Sequence, residues 1–178
     1  GPKPFDFHMA QISIRPERAE NVDFTDPYFD ANQSLVANAG TDITSATSID
    51  ELKDYQLGAA VGTTSLQYIE EQIQPNTEPQ VFNNNADLVQ ALENGQIDGL
   101  VIDLGSAFFV IAVQLSDGTI VGQFPPSAQQ DQIGAVLELG SPLTACINEA
   151  IAAISDSGQL QEIYDATITE AQGAPVIE

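Results

Sequence analysis

The chain has very little positive charge. Of its 178 residues four are Lys or Arg and 26 are Asp or Glu, a formal net charge of −22. That balance excludes general affinity for nucleic acid or anionic membrane, because both need clustered cations to meet phosphate. The plain reading is a solvated acidic surface, suited to high salt or kept soluble by repulsion. Cys146 is the only cysteine, which rules out an intrachain disulfide and a thiolate metal cluster. It sits at apolar helical spacing in Leu143-Thr144-Ala145-Cys146-Ile147-Asn148-Glu149-Ala150-Ile151 and is expected to be a small core residue. His8, the only histidine, lies in Phe5-Asp6-Phe7-His8-Met9-Ala10, which reads as a strand, and is expected to be structural. No metal and no cofactor is expected. No apolar run approaches the ~20 residues that span a bilayer. The opening Gly1-Pro2 looks like the remainder of a cleaved tag, so an export leader is expected to lie outside this segment.

What is present is an alternation of short apolar runs with amphipathic stretches. With 43% apolar residues the chain can bury a core in one or two small domains. The alternation predicts an α/β fold with largely parallel sheets. Strands are expected over 5–12, 33–38, 57–61, 80–82 and 97–103, with one more after the turn Ser116-Asp117-Gly118 and another over 131–139. Glu51, three places on from Ser48, forms a capping box that should open a short helix. Further helices are expected over 64–72, 86–93 with Asn85 as cap and Asn94-Gly95 as stop, and 107–114. Ser141-Pro142 should start a long helix that Gly158 ends, before a last helix near 159–168. The tail 171–178 should fray, and Pro125-Pro126 mark a boundary.

Both arginines fall in one stretch, Ile12-Ser13-Ile14-Arg15-Pro16-Glu17-Arg18-Ala19-Glu20-Asn21-Val22-Asp23-Phe24-Thr25-Asp26-Pro27-Tyr28. On so acidic a chain, a guanidinium beside a hydroxyl and a proline-started turn is a natural holder for a small carboxylate. A second feature is Val61-Gly62-Thr63-Thr64-Ser65-Leu66, a strand-to-helix turn whose amides suit an anion, though helix capping alone would explain its hydroxyls. A third is Asp103, at the end of the strand Gly99-Leu100-Val101-Ile102, where α/β folds place ligands. Its plainer role is a helix cap.

These motifs resemble the amino-acid-binding members of the bacterial extracellular solute-binding protein family. The family signature reads small-x-Ser/Thr-Ile-x-x-Glu-Arg followed by Val-Asp-Phe-Ser/Thr-x-Pro-Tyr, and it also has a Gly-Thr-x-Ser turn. The resemblance implies a type II periplasmic-binding-protein-like α/β fold of two lobes. Residues 33–126 would form a complete second lobe, and 1–32 with 127–178 parts of an incomplete first lobe, because the family has a further stretch ahead of the part matched here. It implies non-catalytic binding of a free amino acid in an interlobe cleft, for delivery to the membrane permease of an ABC-type uptake system in the periplasm or outside the cell. Ser13 and Arg18 would take the ligand carboxylate, with Thr63, Thr64 and Ser65 meeting it from the second lobe and Asp103 taking the ammonium. Gln11 replaces the usual Gly and would reshape the pocket, and Gly105-Ser106 replaces the usual Ser/Thr-Pro. Arg15 is expected to face solvent or pair with Glu17 or Glu20. The alternatives are a dehydratase-like enzyme on the same scaffold and the ligand-sensing domain of a receptor. Strand edges left open by the incomplete lobe are expected to drive homo-oligomer formation.

Overall fold

The computed structural model describes residues 4–126, 131–167 and 173–178. From the N terminus the chain forms β1 (Phe7–His8), α1 (Pro16–Ala19), β2 (Val22–Phe24) and β3 (Phe29–Ala31). It continues with β4 (Gln33–Asn38), β5 (Leu57–Ala60), α2 (Thr64–Tyr68), β6 (Gln80–Phe82), α3 (Asn85–Glu93), β7 (Gly99–Asp103), α4 (Leu104–Phe109) and β8 (Gly118–Gln123). Last come β9 (Asp131–Ile133), β10 (Val136–Glu138), α5 (Thr144–Asp156) and α6 (Gln159–Thr167). The chain divides into two compact units, Gly1–Ala31 with Gln130–Glu170 and Asn32–Gln129 with Ala171–Glu178.

The second unit is built on a five-stranded sheet of order β6-β5-β7-β4-β8. β5 pairs parallel with β6 and β7, while β4 is antiparallel to both β7 and β8. Four strands therefore run one way, as expected, and β4 is inserted against them. Side chains alternate across the sheet. Leu35, Ala37, Leu57, Ala59 and Val101 enter one apolar cluster, and Val36, Leu100 and Ile102 enter the other. Both faces are thus covered, which explains why these strands read as unbroken apolar runs.

Helix α3 starts one residue earlier than its sequence suggests. Asn84, not Asn85, is the cap, its side chain accepting from Asp87 N at 2.9 Å. The helix buries Leu88, Val89, Ala91 and Leu92. Helices α2 and α4 are shorter than expected, each relaxing into a π-helical turn, Ile69–Ile73 and Val110–Gln114. The stretch after Ser48 makes only a 3-10 turn, Asp50–Leu52, with Ile49 at its cap and no side-chain cap. The Glu51 carboxylate nonetheless accepts from Thr47 N and Ser48 N, which holds it below the ordinary range of a glutamate.

Of the tail expected to fray, residues 173–178 are ordered on the second unit; 171 and 172 lie outside the described residues. Val176 bridges Gln123 in parallel and Ile177 is buried in the first cluster. Gln123 N donates to Pro175 O and Ile177 N to Gln123 O, at 2.8 and 2.9 Å. Gly122 permits that approach, since a Cβ there would stand 2.7 Å from both Pro175 O and Ile177 Cγ1.

The first unit contains antiparallel pairs: β1-β10-β2 in one sheet and β3-β9 in another. The strand expected over 5–12 shrinks to Phe7–His8, because only those residues pair along β10. The expected strand over 131–139 splits into β9 and β10 around Gly134, where a Cβ would meet Ile14 Cδ1 at 2.9 Å. Helix α5 begins at Thr144, not at Pro142, and buries only Ile151. Cys146 is exposed, a correction to the expected core position. The inward side of α5 is the one bearing Ile147, Ile151 and Ile154, and Cys146 lies off it.

Candidate functional site

In the first unit the arginine stretch folds as a bend followed by one helical turn. Arg15 is extended (φ −136°, ψ 142°) and Pro16 opens α1, where its missing N–H costs nothing. One turn on, Arg18 Nη1 donates to the backbone oxygen of Ser13 at 3.0 Å. Ser13 is buried and bridges Ile133, and Ile14 N donates to Gln132 O at 2.7 Å. Ser13 and Arg18, chosen from sequence as a pair, are therefore held together. Gln11 is exposed.

Arg15 corrects the sequence reading. Its Nη2 lies 2.6 Å from Asp131 Oδ1, with side chains only 11% and 7% exposed. It pairs across 116 positions of sequence, not with Glu17 or Glu20. Asp23, of the Val-Asp-Phe motif, accepts from Gly140 N, Ser141 N and Thr144 Oγ1 at 3.1 to 3.2 Å. It therefore organises the entry to α5.

In the second unit Gly62 takes φ +69°, which turns the chain from β5 into α2. Thr63 caps α2: its hydroxyl accepts from Leu66 N at 3.2 Å and donates to Ala60 O at 2.7 Å. Thr64 Oγ1 accepts from Gln33 Nε2 at 3.1 Å, and Ser65 is buried. Asp103 caps α4, accepting from Ser106 N at 2.9 Å through Oδ1. Gln33 pairs in register with Asp103, and Asn32 Nδ2 donates to Gln123 Oε1 at 2.9 Å. Sequence reasoning missed Gln33, which is 5% exposed. A glutamine opening a strand with an apolar centre, Leu35-Val36-Ala37, is its only local signal.

Three tyrosine hydroxyls titrate above their ordinary value because burial disfavours the phenolate: Tyr28, Tyr68 and Tyr164. Each has a structural partner, Tyr28 and Tyr68 donating to Ala10 O and Pro125 O, and Tyr164 accepting from Asp30 N. A cavity of about 580 Å³ opens in the first unit between Phe5, Val22, Leu139 and Leu143, and no sequence-predicted site residue lines it. Among the described residues no group of three or more His, Cys, Asp or Glu could hold a metal ion.

The model of the bacterial extracellular solute-binding proteins, family 3, matches residues 2–170. The chain belongs to this family. The ABC transporter glutamine-binding protein GlnH of Bacillus subtilis is 32% identical over 162 residues, covering 91% of this chain and 57% of that relative. The chain thus spans little more than half the length of a curated family member. Among solved structures, an ancestral arginine-binding protein bound to glutamine superposes with a TM-score of 0.72 at 29% identity, covering 91% of this chain and 70% of that one. The ancestral amino-acid-binding protein AncCDT-1, a precursor of cyclohexadienyl dehydratase, gives 0.72 at 25% identity, covering 92% and 69%. These likenesses establish the α/β solute-binding fold that the motifs suggested. Among the described residues no helix is long and apolar enough to cross a membrane.

Proposed function

We propose that the chain binds a free amino acid without transforming it, as the solute-binding part of an ABC-type uptake system working outside the cytoplasmic membrane and handing its ligand to a membrane permease. The observation that carries this reading is the Arg18 guanidinium on the Ser13 carbonyl, on a chain where cations are so scarce. Holding the guanidinium by its own backbone fixes it before a ligand arrives, so less side-chain entropy is lost on binding. Arg18 and Ser13 receive the ligand carboxylate, with Thr64 as a further donor, and Asp103 receives the ammonium. Thr63 and Ser65 shape the turn. Gln11, being exposed, is left to contact ligand side chains. Family membership and amino-acid-binding relatives support the reading.

The test is calorimetric titration of the full chain with the twenty amino acids. One or more should bind, and Arg18→Ala should weaken binding by about 2–4 kcal/mol, since a ligand carboxylate would lose its charged partner. Unchanged affinity in that variant would remove Arg18 from the site.

A further inference from the structure

Resting on the amino-acid reading above, we infer that Gln33 is a positioning residue that makes Thr64 a hydrogen-bond donor toward the ligand carboxylate. Gln33 is the first residue of β4, and its backbone oxygen accepts from Phe124 N at 2.8 Å. The sheet order places β7 between β4 and β5, so the Gln33 side chain reaches across the end of β7 to the turn that follows β5. There Nε2 lies 3.1 Å from Thr64 Oγ1. An amide nitrogen only donates, so the hydroxyl oxygen accepts and its own proton is left to donate elsewhere.

The Thr63 hydroxyl does not share this freedom. Thr63 gives its proton to Ala60 O while accepting from Leu66 N, so both its roles are used inside the turn. The Ser65 side chain is only 6% exposed, and so is less open to a ligand than that of Thr64. Thr64, half-buried and accepting from Gln33, keeps a proton to give, and a donor is what an anionic group requires. Gln33 also stands in register with Asp103, the acceptor proposed for the ammonium. One buried amide thus neighbours both the donor and the acceptor that this unit contributes.

The test is a double-mutant cycle on the full chain, with affinity for L-glutamine, or for the tightest amino acid found in the twenty-ligand titration, read by calorimetry and folding checked by thermal unfolding. Gln33→Leu should weaken binding about tenfold. Gln33→Glu, which can only accept at pH 7, reverses the bond and should weaken it more. In a Thr64→Val background Gln33→Leu should have almost no further effect, whereas a merely structural role would add to the loss. Thr64→Ser, which keeps the hydroxyl, should bind within about threefold of the parent. Gln33→Met repeats the cycle if Gln33→Leu loses its cooperative unfolding. Parent-like affinity in Gln33→Glu, or additive losses in the cycle, would overturn the inference and leave amino-acid binding standing. A parent chain that binds none of the twenty amino acids would remove both.

Discussion

The second unit is held by what it hides, and the first by what it ties. In the second, two apolar clusters cover the two faces of one sheet, and side chains such as Leu35, Leu57 and Leu100 are fully buried. In the first, Phe5, Phe7, Met9, Leu139, Leu143 and Ile163 stand exposed, and α6 buries none of its residues. It buries a smaller set, Ile133, Ala135 and Leu137 among them, and its elements are also joined by polar pins: Arg15 to Asp131, Asp23 to the α5 entry, Asp26 N to Asn148 and Asp30 N to Tyr164. Apolar burial is non-directional and tolerates small shifts, whereas a pin depends on two particular groups. The two units should therefore fail in different ways when cut.

The largest loss is expected in the second unit. Leu35→Ala removes a fully buried side chain next to Gly99, whose missing Cβ already allows Leu35 Cδ1 to approach. The cavity left behind should cost about 3–4 kcal/mol, read as a lowered denaturant midpoint at unchanged slope. Arg15→Ala tests the first unit's strongest pin. It removes the cation that lies 2.6 Å from Asp131 Oδ1 in a pair with side chains 11% and 7% exposed, and should cost about 3 kcal/mol. A loss near zero would mean that the pin is not what ties β9 to the arginine bend.

The legibility of the sequence follows the same division. β4, β5, β7 and α3 could be read directly because burial on both faces, or a strict 3.6-residue face, leaves an unbroken local pattern. The cap of α3 was misplaced by one residue because Asn83, Asn84 and Asn85 are chemically identical, and only the backbone decides among them. The pairing of Arg15 was invisible because its partner lies 116 residues away and charge pairing has no period. The start of α5 moved because the Asp23 carboxylate captures the amides of Gly140 and Ser141, so that the chain turns before it coils. Of the proposed site, Ser13, Arg18 and Asp103 are legible as motif positions. Gln33 is not, since its significance lies in reaching Thr64 across a strand distant in sequence.

Asp23→Ala probes a weaker pin. It would leave the amides of Gly140 and Ser141 and the Thr144 hydroxyl to water or to one another, much like the loss of a helix cap. About 1 kcal/mol is expected, with exchange of the α5 entry amides accelerated more than that of β7. Equal acceleration in both units would show that they unfold as one body, in conflict with the contrast drawn above.

The smallest effect should come from Leu139→Ser. A leucine is among the most apolar side chains, and replacing a buried one by serine costs several kcal/mol; this one is 57% exposed, so little transfer energy is at stake. The chain in dilute solution should change stability by less than about 0.5 kcal/mol, measured by chemical denaturation at two protein concentrations. The second concentration gives the experiment its force. If the loss is larger and grows with concentration, a second copy covers the apolar face of the first unit, the homo-oligomer that open strand edges lead one to expect. At a net charge of −22 such pairing must also strengthen as salt is added, because screening relieves the repulsion between two acidic chains. A small, concentration-independent change would mean that polar pins suffice to hold the first unit with this side chain in water.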